Sequence, residues 1–143
     1  ETTAGGAARI ADALARHAPT LVAIELGAND ALRGLPIEHA RDNLTRMIDA
    51  SRSSGADVLL IGIRIPPNYG PDYAAALESM YRELATQHGI ALLPFLLEPI
   101  ALERDAFQAD NLHPTAAAQP RVLDHVWSEL RPLLVAQSAA APK

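Results

Sequence analysis

Apolar positions along the chain switch between two periods. From about Thr3 to His17, Ile10, Leu14 and several alanines recur at helical spacing, and the segment ends at Pro19. Leu21-Val22-Ala23-Ile24-Glu25-Leu26 is instead a continuous apolar run closed by Gly27, the pattern of a buried strand. Helical spacing returns with Ile37, Ala40, Leu44, Met47 and Ile48 and stops at Gly55. Val58 to Ile63 reads as a second buried strand, followed by a Pro-rich loop from Arg64 to Asp72. Leu77, Met80, Tyr81 and Leu84 mark the next helix, with Gly89 placed to end it. Ile90 to Pro94 is a third strand, Phe95 to Leu112 is irregular or weakly helical, and Val122, Leu123, Val126, Leu130 and Leu133 define a last helix. Pro120 belongs near the start of that helix, because in mid-helix it would remove a hydrogen bond and clash with the preceding turn. One domain over 1–136 and a frayed Ala-rich tail over 137–143 are expected.

Strands that are apolar on both faces and alternate with helices predict an α/β fold around a parallel sheet covered on both sides. In such sheets ligands gather at the carboxyl ends of the strands. The segments following the three strands, at 27–30, 64–72 and 110–113, are therefore all expected on one edge.

Composition narrows the chemistry. The 143 residues contain no cysteine, which excludes disulfides, thiolate metal sites and cysteine nucleophiles. A net charge of −5, with no basic cluster interleaved with aromatics, argues against a nucleic-acid surface. No apolar run approaches a membrane span, and no signal peptide is visible in these residues. The segment Glu1 to Gly6 reads as a loop entering a helix, and there is no initiator Met.

Two short motifs carry chemistry. Asp110-Asn111-Leu112-His113 places a carboxylate three residues before an imidazole, close enough to fix one ring nitrogen and leave the other as a general base. A solvated turn capped by Asp110 has the same residues, so the pair alone does not decide. Gly27-Ala28-Asn29-Asp30 follows a strand, where Gly and Asn/Asp are ordinary turn formers. In the functional reading Gly27 allows a tight turn, the Asn29 amide donates to a developing oxyanion, and Asp30 shapes the turn or caps the following segment. No Gly-Asp-Ser appears among the 143 residues, and none of Ser51, Ser53, Ser54, Ser79, Ser128 or Ser138 has the context of a nucleophile.

Together the motifs resemble the SGNH, or GDSL, hydrolase family, whose Ser, Gly, Asn and His lie in four separated blocks. The stretches Leu26 to Leu35, Ile63-Arg64-Ile65-Pro66-Pro67-Asn68-Tyr69-Gly70 and Leu92-Leu93-Pro94-Phe95 are similar to its bacterial thioesterase I/arylesterase/lysophospholipase subgroup. The resemblance implies a three-layer α/β/α flavodoxin-like fold, with the first two strands missing from this chain, and an unpaired apolar edge at Leu21–Leu26. It implies serine hydrolysis of acyl esters and thioesters, no metal or cofactor, a small-molecule acyl substrate, a monomer when complete, and a periplasmic or secreted location. Asn29, Asp110 and His113 would be catalytic, with Asn29 the oxyanion donor. Gly27, Leu32, Leu35, Ile65 and Pro66 would bind substrate. These residues without the serine would be nearly inactive. A non-catalytic binding member of the fold and a carbohydrate O-deacetylase are the alternatives; a metal site at Asp110 and His113 lacks a third ligand. Glu25, odd in an apolar strand, is expected to pair with Arg64.

Overall fold

In the computed structural model, which describes residues 1–140, the three apolar runs become parallel strands in the order β1-β2-β3: β1 Leu21–Ile24, β2 Asp57–Ile61 and β3 Ala91–Leu93. Each strand ends before its apolar run does, and the remaining residues leave the sheet to form loops. Register pairs Ile24 with Leu60 and Ile61 with Leu93. The chain forms two compact units, Glu1–Pro94 and Phe95–Lys143.

The first unit holds the sheet with α1 (Thr3–His17), a short α2 (Ala28–Leu32), α3 (Ile37–Ser53) and α4 (Pro71–His88). Its core joins one face of the sheet to the apolar stripes of these helices. Ile24, Val58 and Leu60 pack with Leu44, Met47 and Ile48 of α3 and with Leu77, Met80, Tyr81 and Leu84 of α4. Leu59, Ile61 and Leu93, on the opposite face, are buried as well. Burial on both faces from Val58 to Ile61 explains why the β2 run is apolar throughout rather than alternating, whereas β1 leaves Ala23 exposed. α4 closes at Gly89, as its position predicts. The expected α/β fold with a parallel sheet is present. The short helix α2 was not expected, because the sequence reads as a turn there.

Among the described residues β1 pairs only with β2, so its other edge is open. A groove of about 420 Å³ runs along that edge, lined in part by Ile10, Leu14, Val22, Leu26 and Met47. It contains none of the site residues expected from the sequence. The Glu25–Arg64 pairing gives way to another: Arg64 Nε lies 3.2 Å from Glu78 Oε2 on α4.

The second unit is built on α5 (Gln119–Ala140), whose Val122 and Ala118 pack with Ile100 and Ala106. Two 3-10 turns, Glu98–Ile100 and Arg104–Ala106, fill the stretch expected to be irregular. Pro120 sits in the first turn of α5, where its missing N–H costs little. Arg121 reaches back to both carboxylate oxygens of Glu103, at 2.6 and 2.7 Å. His125 is half-buried, with Nε2 3.0 Å from the Phe95 carbonyl. Helix α5 carries the expected tail as far as Ala140, and 141–143 lie outside the described residues. No helix among the described residues is long and apolar enough to cross a membrane.

Candidate active site

The Asn29 block is the exit of β1. Gly27 turns the chain with φ 125°, a value that side chains rarely permit, and α2 begins at the next residue. A Cβ on Gly27 would lie 2.2 Å from the Tyr81 hydroxyl oxygen. Position 27 therefore demands glycine for its backbone and for its space. Asn29 stands half-buried in the first turn of α2, and its Nδ2 donates to the Glu1 carbonyl at 3.0 Å. That bond uses one amide N–H and leaves the second with no protein acceptor among the described residues.

Asp30 departs from its expected part. It is only 3% exposed and faces the start of α1 rather than the segment after it. Thr3 donates its main-chain N–H to Asp30 Oδ2 at 2.8 Å and its hydroxyl to Oδ1 at 2.6 Å. Asn43 of α3 donates to the same Thr3 hydroxyl at 3.0 Å, and Arg46 in turn donates to Asn43. A helix start presents unpaired N–H groups and a partial positive charge, so a carboxylate there satisfies both. Asp30 thus caps α1 across the fold and ties the Asn29 turn to two helices.

The other expected substrate residues of the first unit fall into two groups. Leu32 and Leu35 are half-buried on the segment after Asn29. Ile65, 8% exposed, belongs to the core, while the neighbouring Pro66 is exposed.

In the second unit, Asp110 and His113 stand in a closed loop. Phe107 and Pro114 form an antiparallel bridge, Gln108 N–H donates to the His113 carbonyl at 2.8 Å, and Asn111 takes φ 56° at the tip. Asp110 Oδ1 accepts the main-chain N–H groups of Leu112 (2.9 Å) and His113 (3.0 Å). Asp110 Oδ2 lies 2.6 Å from His113 Nδ1. One carboxylate therefore shapes the loop and orients the ring. With Nδ1 held by a carboxylate, the neutral ring carries its proton there and its basic lone pair on Nε2. The ring is 72% exposed, so Nε2 is open to an incoming group.

The His113 ring, followed by the main-chain N–H groups of His113 and Leu112, lowers the Asp110 pKa from 3.8 to about 2. The folded value lies below the unfolded one. Its stabilising contribution is therefore complete above the ordinary carboxylate range and is lost as pH falls towards 2. Carboxyl carbon-13 NMR should show Asp110 titrating near 2 and the loop amides shifting with it. Titration in the ordinary range near 3.8 would mean that the Asp110–His113 contact does not hold in solution.

Three serines are occupied elsewhere. Ser51, Ser54 and Ser128 donate their hydroxyls to the main-chain carbonyls of Met47, Ser51 and His125. No group of three His, Cys, Asp or Glu side chains placed to hold a metal ion occurs among the described residues.

Sequence reading did not find the roles of Thr3, Tyr73 or Tyr81. Tyr81 donates its hydroxyl to the Leu26 carbonyl at 2.8 Å, and Tyr73 donates to the Leu35 carbonyl at 2.6 Å. The only hint was the position of both tyrosines on the helix after the second strand.

Comparison with known proteins covers nearly the whole chain. A model of the GDSL-like lipase/acylhydrolase family matches residues 1–120. Esterase TesA of Pseudomonas aeruginosa is 48% identical over 134 residues, which is 94% of this chain and 67% of that protein. An arylesterase of Vibrio mimicus is 42% identical over 91% of this chain and 65% of its own length. Thioesterase 1/protease 1/lysophospholipase L1 of Escherichia coli K12 is 36% identical over 94% of this chain and 64% of its own. The chain thus spans about two thirds of the length of these relatives. A crystal structure of TesA superposes with a TM-score of 0.89 over 93% of this chain and 74% of that one.

Proposed function

The chain belongs to the GDSL-like lipase/acylhydrolase family, and from that premise we propose that it supplies the general base, the orienting acid and an oxyanion donor of a serine hydrolase acting on carboxylic acyl esters and thioesters. The observation that carries this reading is the 2.6 Å contact between Asp110 Oδ2 and His113 Nδ1, which leaves Nε2 as an exposed base. The nucleophile is the serine of the family's Gly-Asp-Ser block, which these 143 residues do not contain.

His113 Nε2 takes the proton of that serine as its oxygen bonds to the acyl carbon. The carbonyl electron pair moves onto oxygen, and the second N–H of the Asn29 amide donates to it. When the tetrahedral centre collapses, the bond to the alcohol or thiol breaks. The leaving group departs with the proton from His113, and the acyl group stays on serine. Water, deprotonated by the same nitrogen, then releases the acid and restores the serine. Asp110 keeps its charge throughout and holds the ring. Gly27, Leu32, Leu35, Ile65 and Pro66 are assigned to substrate binding: Leu32 and Leu35 to the acyl crevice, exposed Pro66 to the facing wall with Ile65 behind it in the core, and Gly27 to the turn that carries Asn29. Residues 1–136 are read as one hydrolase domain, since the family match crosses both compact units. The compartment is read as periplasmic or secreted on the family resemblance alone.

The test joins the nucleophile segment of the Pseudomonas relative ahead of Glu1 and follows hydrolysis of p-nitrophenyl esters. Asn29→Ala should lower kcat by about 10²–10³, the usual effect of losing one oxyanion donor, with little change in KM. Full activity in Asn29→Ala would overturn the assignment.

A further inference from the structure

Leu26 to Leu35 carries both the Asn29 turn and the two leucines assigned to the acyl chain, and it is held at its ends by one helix. At its start, the Leu26 carbonyl lies beyond the last residue of β1 and accepts the Tyr81 hydroxyl at 2.8 Å. At its end, the Leu35 carbonyl, just before Pro36, accepts the Tyr73 hydroxyl at 2.6 Å. Between them, Asp30 is bound to Thr3. We infer that Tyr81 and Tyr73 are positioning residues with separate duties: Tyr81 sets the Asn29 amide for the oxyanion, and Tyr73 sets Leu32 and Leu35 for the acyl chain.

The two tyrosines suit these duties differently. Tyr81 is 1% exposed, in the core, with its hydroxyl in the space a Gly27 side chain would need. Burial, with Glu25 and Asp30 nearby, raises its pKa, so the hydroxyl remains a donor at any working pH. A carbonyl left without that donor must find water or move, and the turn it begins would move with it. Tyr73 is half-buried near the surface, and its bond restrains only the far end of the segment. Its loss leaves Asn29 fastened by Tyr81 and Asp30 but frees Leu32 to Leu35.

This inference rests on the proposed function, and the closing experiment separates the two. Tyr81→Phe, Tyr73→Phe and Asn29→Ala are compared in the nucleophile-bearing fusion, using p-nitrophenyl esters from acetate to palmitate. Tyr81→Phe should lower kcat about 10-fold or more at every chain length with KM little changed, since misplacement by an ångström can cost about 10²-fold. Tyr73→Phe should raise KM most for long acyl chains and least for acetate, shifting the preferred length. In the 143-residue chain itself, amide exchange should quicken at 27–31 in the first variant and at 33–35 in the second. Equal losses of thermal stability with kcat, KM and chain-length preference intact would overturn the inference and leave the tyrosines structural. Loss of activity in Asn29→Ala alongside that result would keep the proposed function; full activity in Asn29→Ala would remove both. If Tyr81→Phe does not fold, the Tyr73→Phe length profile decides, and an unchanged profile overturns the inference.

Discussion

His113→Ala should lower kcat of the nucleophile-bearing fusion by about 10⁴–10⁶, the range found when a serine hydrolase loses its base. KM should change little, because the imidazole acts on the proton and not on the acyl chain. The size of the loss follows from the lack of a substitute. Asp110 remains after the substitution, but a carboxylate is a weak base at neutral pH, and this one stays bound to the loop by the main-chain N–H groups of residues 112 and 113. Steady-state assays across ester lengths, with circular dichroism to confirm folding, check the expectation. Retention of most activity in a folded His113→Ala protein would remove the Asp110–His113 pair from the chemistry.

Gly27→Ala should be the most damaging single substitution for the fold around Asn29. Alanine at φ 125° is strained, and its Cβ would meet the buried Tyr81 hydroxyl at 2.2 Å. Backbone strain and overpacking each cost about 1–3 kcal/mol, so the loss should reach about 2–6 kcal/mol in urea denaturation. Such a loss is a large share of the stability of a domain this size. The two parts can be separated. In a Tyr81→Phe background the atom that the new methyl strikes is gone, so the added cost of Gly27→Ala should fall towards the backbone part. Equal costs in both backgrounds would mean that the hydroxyl is not the obstacle.

Much of the fold was legible because its apolar runs are long and unbroken. Leu21–Leu26 and Val58–Ile63 have no polar alternation apart from Glu25, the mark of strands in a parallel sheet, and the two are neighbours in one, with β2 buried on both faces and β1 exposed at Ala23. The helix at Ala28–Leu32 was not legible. Gly27, Asn29 and Asp30 have the local chemistry of a turn, and five residues are too few to show a period. The Glu25–Arg64 pairing failed for a related reason. Adjacency of two strand ends does not say which acid a flexible guanidinium reaches, and Glu78 on α4 was nearer.

The Asp110–His113 pair could be read from the sequence because three residues within one loop nearly dictate the contact. The chain alone thus determined the order of strands and helices, the two motifs and the family they resemble, all from local spacing and residue type. Only the tertiary structure decided that Asp30 caps α1, that Asn29 donates to Glu1, and that Tyr73 and Tyr81 hold the two ends of the segment between them. Those bonds join residues 27 to 55 positions apart. Hydrogen bonds of that span leave no periodic trace, because the partners meet only after the core has brought α1, α3 and α4 against the sheet.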